Sequence, residues 1–176
     1  MDFGPGVSES RTPVEIRIRE LSGPESLDFF PSILGLERRT YEPARRDPED
    51  RLRLALTDPE GIACIAEVLV DGTWEYAGYV LGAPLEHFGE IDGPRDDPHR
   101  GQGDTLYSIA LTVDQRFRGL GLGRMLKKRQ LELARNRKTS DGGRRYLYST
   151  GRNRVGLADT MTHLNRSFGA RKVSLV

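Results

Sequence analysis

Apolar and polar residues alternate through "VEIRIREL" (14–21), which is the period of a half-buried strand. From 24 to 61 the spacing becomes helical, in "PESLDFFPSILGLERRTYEPARRDPEDRLRLALTDPEG". Pro31 and Pro43 divide that segment and Pro59-Glu60-Gly61 ends it, since proline lacks the N–H that continues a helix. "IACIAEVLV" (62–70) predicts a buried strand, Asp71-Gly72 a tight hairpin turn, and "WEYAGYVLGAPL" (74–85) the returning strand. Residues 86–104 form a long polar loop rich in Gly, Pro and Asp, and loops of that length are more often functional or disordered than structural. "TLYSIALTV" (105–113) predicts a strand, and "GLGLGRMLKKRQLELARNRK" (119–138) a helix with Leu122, Met125, Leu126 and Leu133 on one face. "RYLYSTG" (145–151) predicts a further strand. "VGLADTMTHLNRSFG" predicts a helix with a stripe of Leu157, Met161, Leu164 and Phe168, and "ARKVSLV" a last strand. The order strand, helices, hairpin, strand, helix, strand, helix, strand predicts an α/β (α+β) fold, a mixed sheet with helices on its faces.

At 176 residues and 19.7 kDa the chain suits one domain, expected over 14–176 behind a flexible tail, 1–13, of Gly, Pro and Ser. Its 27 basic and 26 acidic residues leave a net charge of +1, with no global pull toward nucleic acid or an anionic membrane. The single cysteine, Cys64, allows no internal disulfide and suits a reducing compartment. The start of the chain does not read as a signal peptide and no apolar run has the length of a membrane span. A soluble, cytoplasmic protein is expected, without nucleic acid or membrane as partner.

The chemistry concentrates in "RFRGLGLGR" (116–124), where three glycines open a helix and arginines flank them. The first N–H groups of a helix have no partner within it and carry partial positive charge. Glycines keep side-chain bulk away, and Arg118, Arg124, Lys127 and Lys128 add full charges, so the stretch reads as a phosphate or pyrophosphate site. The competing reading is that the glycines serve close packing of helix on sheet. A P-loop does not fit, because Gly123 is followed by Arg124 and Met125; a dinucleotide fingerprint lacks its third glycine, and Asp141 lies in the loop "TSDGG" rather than at a strand end.

"LTVDQRFRGLGLGRMLKKR" resembles the acetyl-CoA motif of the GNAT superfamily of N-acetyltransferases: a strand ending Leu-x-Val, a short turn, then Arg-x-x-Gly-x-Gly at a helix start. Leu111, Thr112 and Val113 are the strand end, and Arg118, Gly121 and Gly123 take the signature positions. Downstream, "YLYSTGRN" resembles the family's next strand and turn, and "MTHLNRSFGAR" its Met/Asn/Gly helix end, with Ala170 where Phe is usual. The motifs cover about 105–171, and the order of elements extends this from 14 to 176. The resemblance implies a mostly antiparallel sheet whose central strands, one parallel pair, splay apart to admit the pantetheine arm, with helices on both faces. It implies acetyl-CoA as co-substrate, no metal, and direct attack by a primary amine of a small molecule or amino-acid-like acceptor. Backbone groups of Leu111, Thr112 and Val113 would pair with the arm, and the Val113 N–H would polarise the thioester carbonyl. The N–H groups of Arg118, Gly119, Leu120, Gly121, Leu122, Gly123 and Arg124 would hold the pyrophosphate. Asn153 reads either as a contact to the arm or as a helix cap.

A general base is expected, because the attacking amine must be neutral. The family often places a Glu near the position of Thr105, and strand 105–113 holds no carboxylate. The candidates are Glu67, His87, Glu90, Asp92 and Asp104, each weighed against a solvated or packing role. Where many members carry a Tyr that protonates the leaving thiolate, Asn165 stands near the sulfur, as in a subgroup resembling mycothiol synthase and its relatives; Tyr146 and Tyr148 are substitutes to consider. Arg38, Arg39, Arg45 and Arg46 read either as holding an anionic group of the acceptor or as a surface balanced by Asp47, Glu49 and Asp50. Two rival functions remain: a GNAT-fold protein that binds acyl-CoA as a sensor without turnover, and a nucleic-acid accessory protein using "RNRKTSDGGRR" (135–145). A sheet closing on one short strand, "ARKVSLV", leaves an open edge, so a homodimer through that edge, or a natural chain extending past Val176, is expected.

Overall fold

The computed structural model describes residues 14–153 and 159–173. The expected tail, 1–13, and Leu157 of the expected stripe lie outside them. Five strands form one sheet in the order of the chain: β1 (Ile16–Leu21), β2 (Ile62–Val70), β3 (Thr73–Pro84), β4 (Thr105–Val113) and β5 (Tyr148–Thr150). β1 to β4 pair antiparallel, and β4 with β5 parallel. The β2–β3 turn has Asp71 at φ 47° and Gly72 at φ 78°, the left-handed pair that matches the twist of a two-residue hairpin.

Helices α1 (Glu25–Asp28), α2 (Phe30–Thr40) and α3 (Glu49–Thr57) cover one face, and α4 (Leu122–Asn136) the other. Each face has its own core because neighbouring strand residues point to opposite sides. Ile65, Tyr79, Leu81 and Tyr107 pack with Ile33, Leu36 and Leu52 on the first face. Cys64, Val80 and Leu106 pack with Leu122 and Leu126 on the second. α5 (Asp159–Ser167) lies by the start of α4, where a Cβ placed on Gly123 would meet Leu164 Cδ2 at 4.0 Å.

Three expectations change. The strand predicted over 145–151 forms only at Tyr148–Thr150, because Tyr146 turns into the core and its hydroxyl donates to the Glu60 carbonyl at 2.6 Å. The parallel pair lies at one edge of the described sheet rather than at its centre. Residues 170–173 adopt no strand, and 174–176 lie outside the described residues.

Candidate functional site

The β4–β5 pair opens by a register rule. β5 pairs only with Thr105, Leu106 and Tyr107. At Gly151 the chain is still beside Ser108, where a Cβ would stand 3.3 Å from the carbonyl oxygen. β4 then runs on to Val113 without a partner on that side among the described residues. Across β3 the register shifts between Leu81 and Gly82, which leaves Ile109 as an extra residue on β4, a bulge that bends the strand where the gap begins.

Hydrogen bonding in the β3–β4 ladder decides which backbone groups face the gap. The Asp114 N–H donates to the Ala77 carbonyl at 2.8 Å. Antiparallel ladders alternate, so Thr112 bonds with Tyr79 toward β3, while the N–H groups of Leu111 and Val113 turn away from β3 into the gap. Thr112 differs from its neighbours in side chain as well as backbone, since its hydroxyl lies in a buried cluster on the opposite face.

Beyond β4 the chain makes the turn that the glycines require. Asp114 caps it, accepting from the Arg116 N–H at 3.0 Å, and Phe117 anchors it in the core. Burial pushes the Asp114 carboxyl up, yet the Arg116 N–H and the guanidiniums of Arg116 and Arg39 outweigh that and hold it below the usual carboxylate range. Gly119 and Gly121 have φ of 84° and 78°, where any other residue is strained, and a Cβ on either would meet nothing within 4 Å. Conformation, rather than bulk, therefore demands glycine at these two positions. Gly123 is helical, and its Cβ would touch Leu111, Val113 and Leu164 at 3.7–4.0 Å, so the packing reading applies there.

The first helical bond of α4 runs from the Met125 N–H to the Gly121 carbonyl at 3.1 Å. Among the described residues, the N–H groups of Leu122, Gly123 and Arg124 have no partner, and Gly121 offers no side chain to cap them. They open beside Gly119, Leu120 and Arg118, all exposed, and Arg118 makes no ion pair among the described residues. The other cations are engaged: Arg124 donates to Ser167 Oγ at 3.0 Å and lies over the Phe168 ring, and Lys128 pairs with Glu132 at 3.8 Å. The Asn165 backbone carbonyl accepts from Phe168 and Ala170, each at 3.1 Å, closing α5. Its side-chain Oδ1 is buried with no partner among the described residues, a vacant acceptor beside the start of α4. Open donors at the glycine turn, gap-facing N–H groups on β4 and that orphaned amide fit an acyl-CoA. Asn153 follows β5 and is partly buried.

The candidate bases do not meet at one point. Glu67 is taken up by Arg17 at 2.6 Å and Arg19 at 3.5 Å, two strands from the gap. His87 pairs with Asp58 at 2.8 Å, Glu90 with Arg51 at 3.4 Å and Asp92 with Arg95 at 2.6 Å. Asp104 accepts from the Thr105 hydroxyl at 2.9 Å, and its carbonyl receives the N–H of Leu147 and of Tyr148. Arg51 and Arg152, which donates to the Asp92 carbonyl at 3.4 Å, bracket the 90–92 segment of the loop. Of the four clustered arginines, Arg38 pairs with Glu49, Arg39 with Asp114, Arg45 lies over Tyr41, and Arg46 holds the carbonyls of Tyr41 and Arg38. In the basic stretch 135–145, Arg137 reaches the Gly61 carbonyl and Arg145 pairs with Glu60 at 2.5 Å. Burial pushes the Cys64 thiol up to about 12 and the Tyr146 hydroxyl well above its usual value, which suits neither to nucleophilic or acid work.

Two groups escaped the sequence reading, and a third was misplaced by it. Glu37 is buried and accepts from the hydroxyls of Tyr79 and of Thr112, the latter at 3.2 Å; its Oε2 and the Tyr76 hydroxyl are buried without partners among the described residues. His99 stacks on Tyr148 with ring centroids 3.8 Å apart, its Nδ1 buried and without a partner among the described residues. Lys127, expected to add charge at the glycine turn, is instead buried beside Gln130, because α4 turns that position toward the sheet. A charged residue on the sheet side of an amphipathic helix was the available signal for Glu37 and Lys127.

Residues 30–156 match the acetyltransferase (GNAT) family. The chain belongs to that family. Solved structures share its fold at low identity. An aminoglycoside acetyltransferase from an uncultured soil metagenomic sample is 18% identical, with 92% of this chain and 95% of that one covered and a TM-score of 0.61. An aminoglycoside N-acetyltransferase in complex with CoA is 14% identical, with 94% of each chain covered and a TM-score of 0.61. The ribosomal-protein-alanine N-acetyltransferase from Brucella melitensis biovar Abortus is 17% identical, with 92% of this chain and 97% of that one covered and a TM-score of 0.56. No curated protein matches this sequence. Among the described residues, no helix is long and apolar enough to cross a membrane.

Proposed function

We propose that this GNAT-family chain is an acyl-CoA-dependent N-acetyltransferase that moves an acetyl group to a primary amine of a small molecule or amino-acid-like acceptor in the cytoplasm. The observation that carries the reading is the gap. β5 leaves β4 after Tyr107, the N–H groups of Leu111 and Val113 face the opening, and the opening leads to the left-handed glycine turn and the first N–H groups of α4, which have no partner among the described residues. The arm of acetyl-CoA would lie along β4 and its pyrophosphate at Arg118 to Arg124. The Val113 N–H would donate to the thioester carbonyl as negative charge develops there. The amine attacks the carbonyl carbon directly, so no covalent intermediate on the protein forms, in keeping with a Cys64 thiol that burial holds protonated. Asn165, in the place of the more usual Tyr as in relatives of mycothiol synthase, would offer its amide to the sulfur or the arm.

The acceptor would approach from the α1–α3 face, opposite α4. Neighbouring structures named for aminoglycosides and for a ribosomal protein's alanine supply two acceptor types to try. The test is release of free thiol from acetyl-CoA over a panel of amines: an aminoglycoside, amino acids and a peptide with an N-terminal alanine. Turnover of at least one establishes the reading. CoA binding without turnover of any amine favours the sensor alternative, which Asn165 and the carboxylate-free β4 motivate. Pairing with a second copy near the C-terminus belongs to the same proposal, with Val173 exposed there. Sedimentation before and after deletion of residues 172–176 checks it, and a monomer in both samples refutes it.

A further inference from the structure

Gly123, Lys127, Gln130 and Ala134 form one line on α4, at spacings of four, three and four residues. Two of its members are fixed against the sheet. Gly123 lies over Leu111 and Val113, and Gln130 over Ser108, the residue at which β5 begins to leave β4. Lys127 lies between them, beneath the part of β4 that lines the gap. Its side chain is buried, at 7% exposed. Nζ donates to Gln130 Oε1 at 3.1 Å, and the same oxygen accepts from Ser108 Oγ at 2.8 Å. Gln130 is fully buried, and its Nε2, set against Gly82, has no partner among the described residues.

An ammonium group and a hydroxyl thus share a single acceptor, Gln130 Oε1, inside the protein. Among the described residues, no charged group faces them. β4 presents Ser108 and Leu111, β3 presents Gly82, and α5 presents Leu164, while His163 is exposed. On α4 itself, Arg124 goes to Ser167, Lys128 to Glu132 and Arg129 to Glu20 and Glu132. Burial is the one cause acting on the Lys127 amine, and it pulls the group down to about 8. A buried cation without a counter-ion is unfavourable, so the arrangement gains when a negative charge arrives beside it.

We propose that the Lys127 side chain, rooted one turn from the Gly123 that lies over Val113, leaves Gln130 and donates a proton to the leaving sulfur from the α4 side of the gap. This rests on the acyl-CoA reading above. The acceptor nitrogen bonds to the carbonyl carbon, the carbon–sulfur bond breaks with its electron pair going to sulfur, and the thiolate takes a proton from the Lys127 ammonium. Lys127, left neutral, regains a proton from water, and the proton lost by the acceptor nitrogen goes to solvent. The amide of Asn165 has no proton to give, so Lys127 supplies what that position lacks.

Free CoA is bound to wild type, Lys127→Met and Lys127→Arg, affinity is measured by calorimetry, and the bound thiol is titrated by its thiolate absorbance. The expected result is a thiol that ionises at a pH lower by about one unit or more in wild type than in Lys127→Met. Lys127→Arg keeps the low titration but, holding its proton, turns over about tenfold more slowly or worse, as does Lys127→Met. A merely structural role would change stability without moving the thiol titration. Identical titrations in wild type and Lys127→Met, with CoA bound to both, overturn the proposal and leave the acyl-CoA reading standing. Failure of wild type to bind CoA overturns both. Should Lys127→Met not fold, Lys127→Gln gives the same comparison.

Discussion

Two glycines of one motif, separated by one residue, are expected to respond to the same substitution with opposite sign. Gly121 has φ 78° and precedes α4, while Gly123 lies within its first turn. Alanine at 121 meets no atom within 4 Å, so its cost is that of the left-handed backbone alone, about 1–2 kcal/mol. A domain of this size loses about 2–4 °C per kcal/mol, so Gly121→Ala lowers Tm by about 2–8 °C. Asparagine tolerates the left-handed region better, so Gly121→Asn falls between. Alanine at 123 makes ordinary contacts of 3.7–4.0 Å with Leu111, Val113 and Leu164 and replaces a poor helix former. Gly123→Ala is therefore neutral to stabilising, by up to about 1 kcal/mol. Scanning calorimetry of the three variants checks the ranking, and repetition with CoA present separates folding from ligand binding. A Gly123→Ala protein less stable than Gly121→Ala would refute the assignment of conformation to one glycine and packing to the other.

The remaining expectations follow from side chains at the same end of the sheet. Asn165→Ala lowers turnover modestly with CoA affinity retained, because an amide donates a hydrogen bond but no proton; complete loss of turnover with intact affinity contradicts this. Asp114 has a folded-state value below its ordinary 3.8, so its contribution is present above that value and is lost as the pH falls through the lowered one. Asp114→Asn should therefore be less stable than wild type at pH 7, and the difference should shrink in acid denaturation below about pH 4. Lys127 has the reverse linkage. Its amine ionises at about 8 when folded against 10.5 otherwise, so wild type gains stability as the pH rises from about 8 toward 10.5. Lys127→Met lacks that rise and is more stable at pH 7 by on the order of 1–3 kcal/mol, which urea unfolding at the two pH values measures.

What the sequence disclosed and what it withheld follow from the range of the interactions involved. The alternation in "TLYSIALTV" places β4 at Thr105–Val113, because a half-buried strand writes its period into neighbouring residues. Asp71-Gly72 gives the hairpin for an equally local reason, since only certain residues accept positive φ. The Arg-x-x-Gly-x-Gly stretch identifies the turn, but only the dihedral angles divide its glycines into two that need the left-handed region and one that packs. Strand 145–151 shortens because Tyr146 is drawn to the Glu60 carbonyl, a contact between segments 86 residues apart that no local pattern records. The same holds for the charges. Glu67, Glu90 and Asp92 look available in the sequence, yet each is met by an arginine from elsewhere in the chain or loop. Glu37 looks like a surface charge and Lys127 like a cation of the phosphate site, yet they are buried against Tyr79 and Gln130, because α2 and α4 turn those positions toward the sheet. Helical period alone does not separate a charged residue at the margin of an apolar stripe from one inside it, since a rotation of one residue spans the difference. A buried charge near the gap is decided by how the helix is set on the sheet, and that setting is made by Leu122 and Leu126 packing on Cys64 and Val80 across the fold.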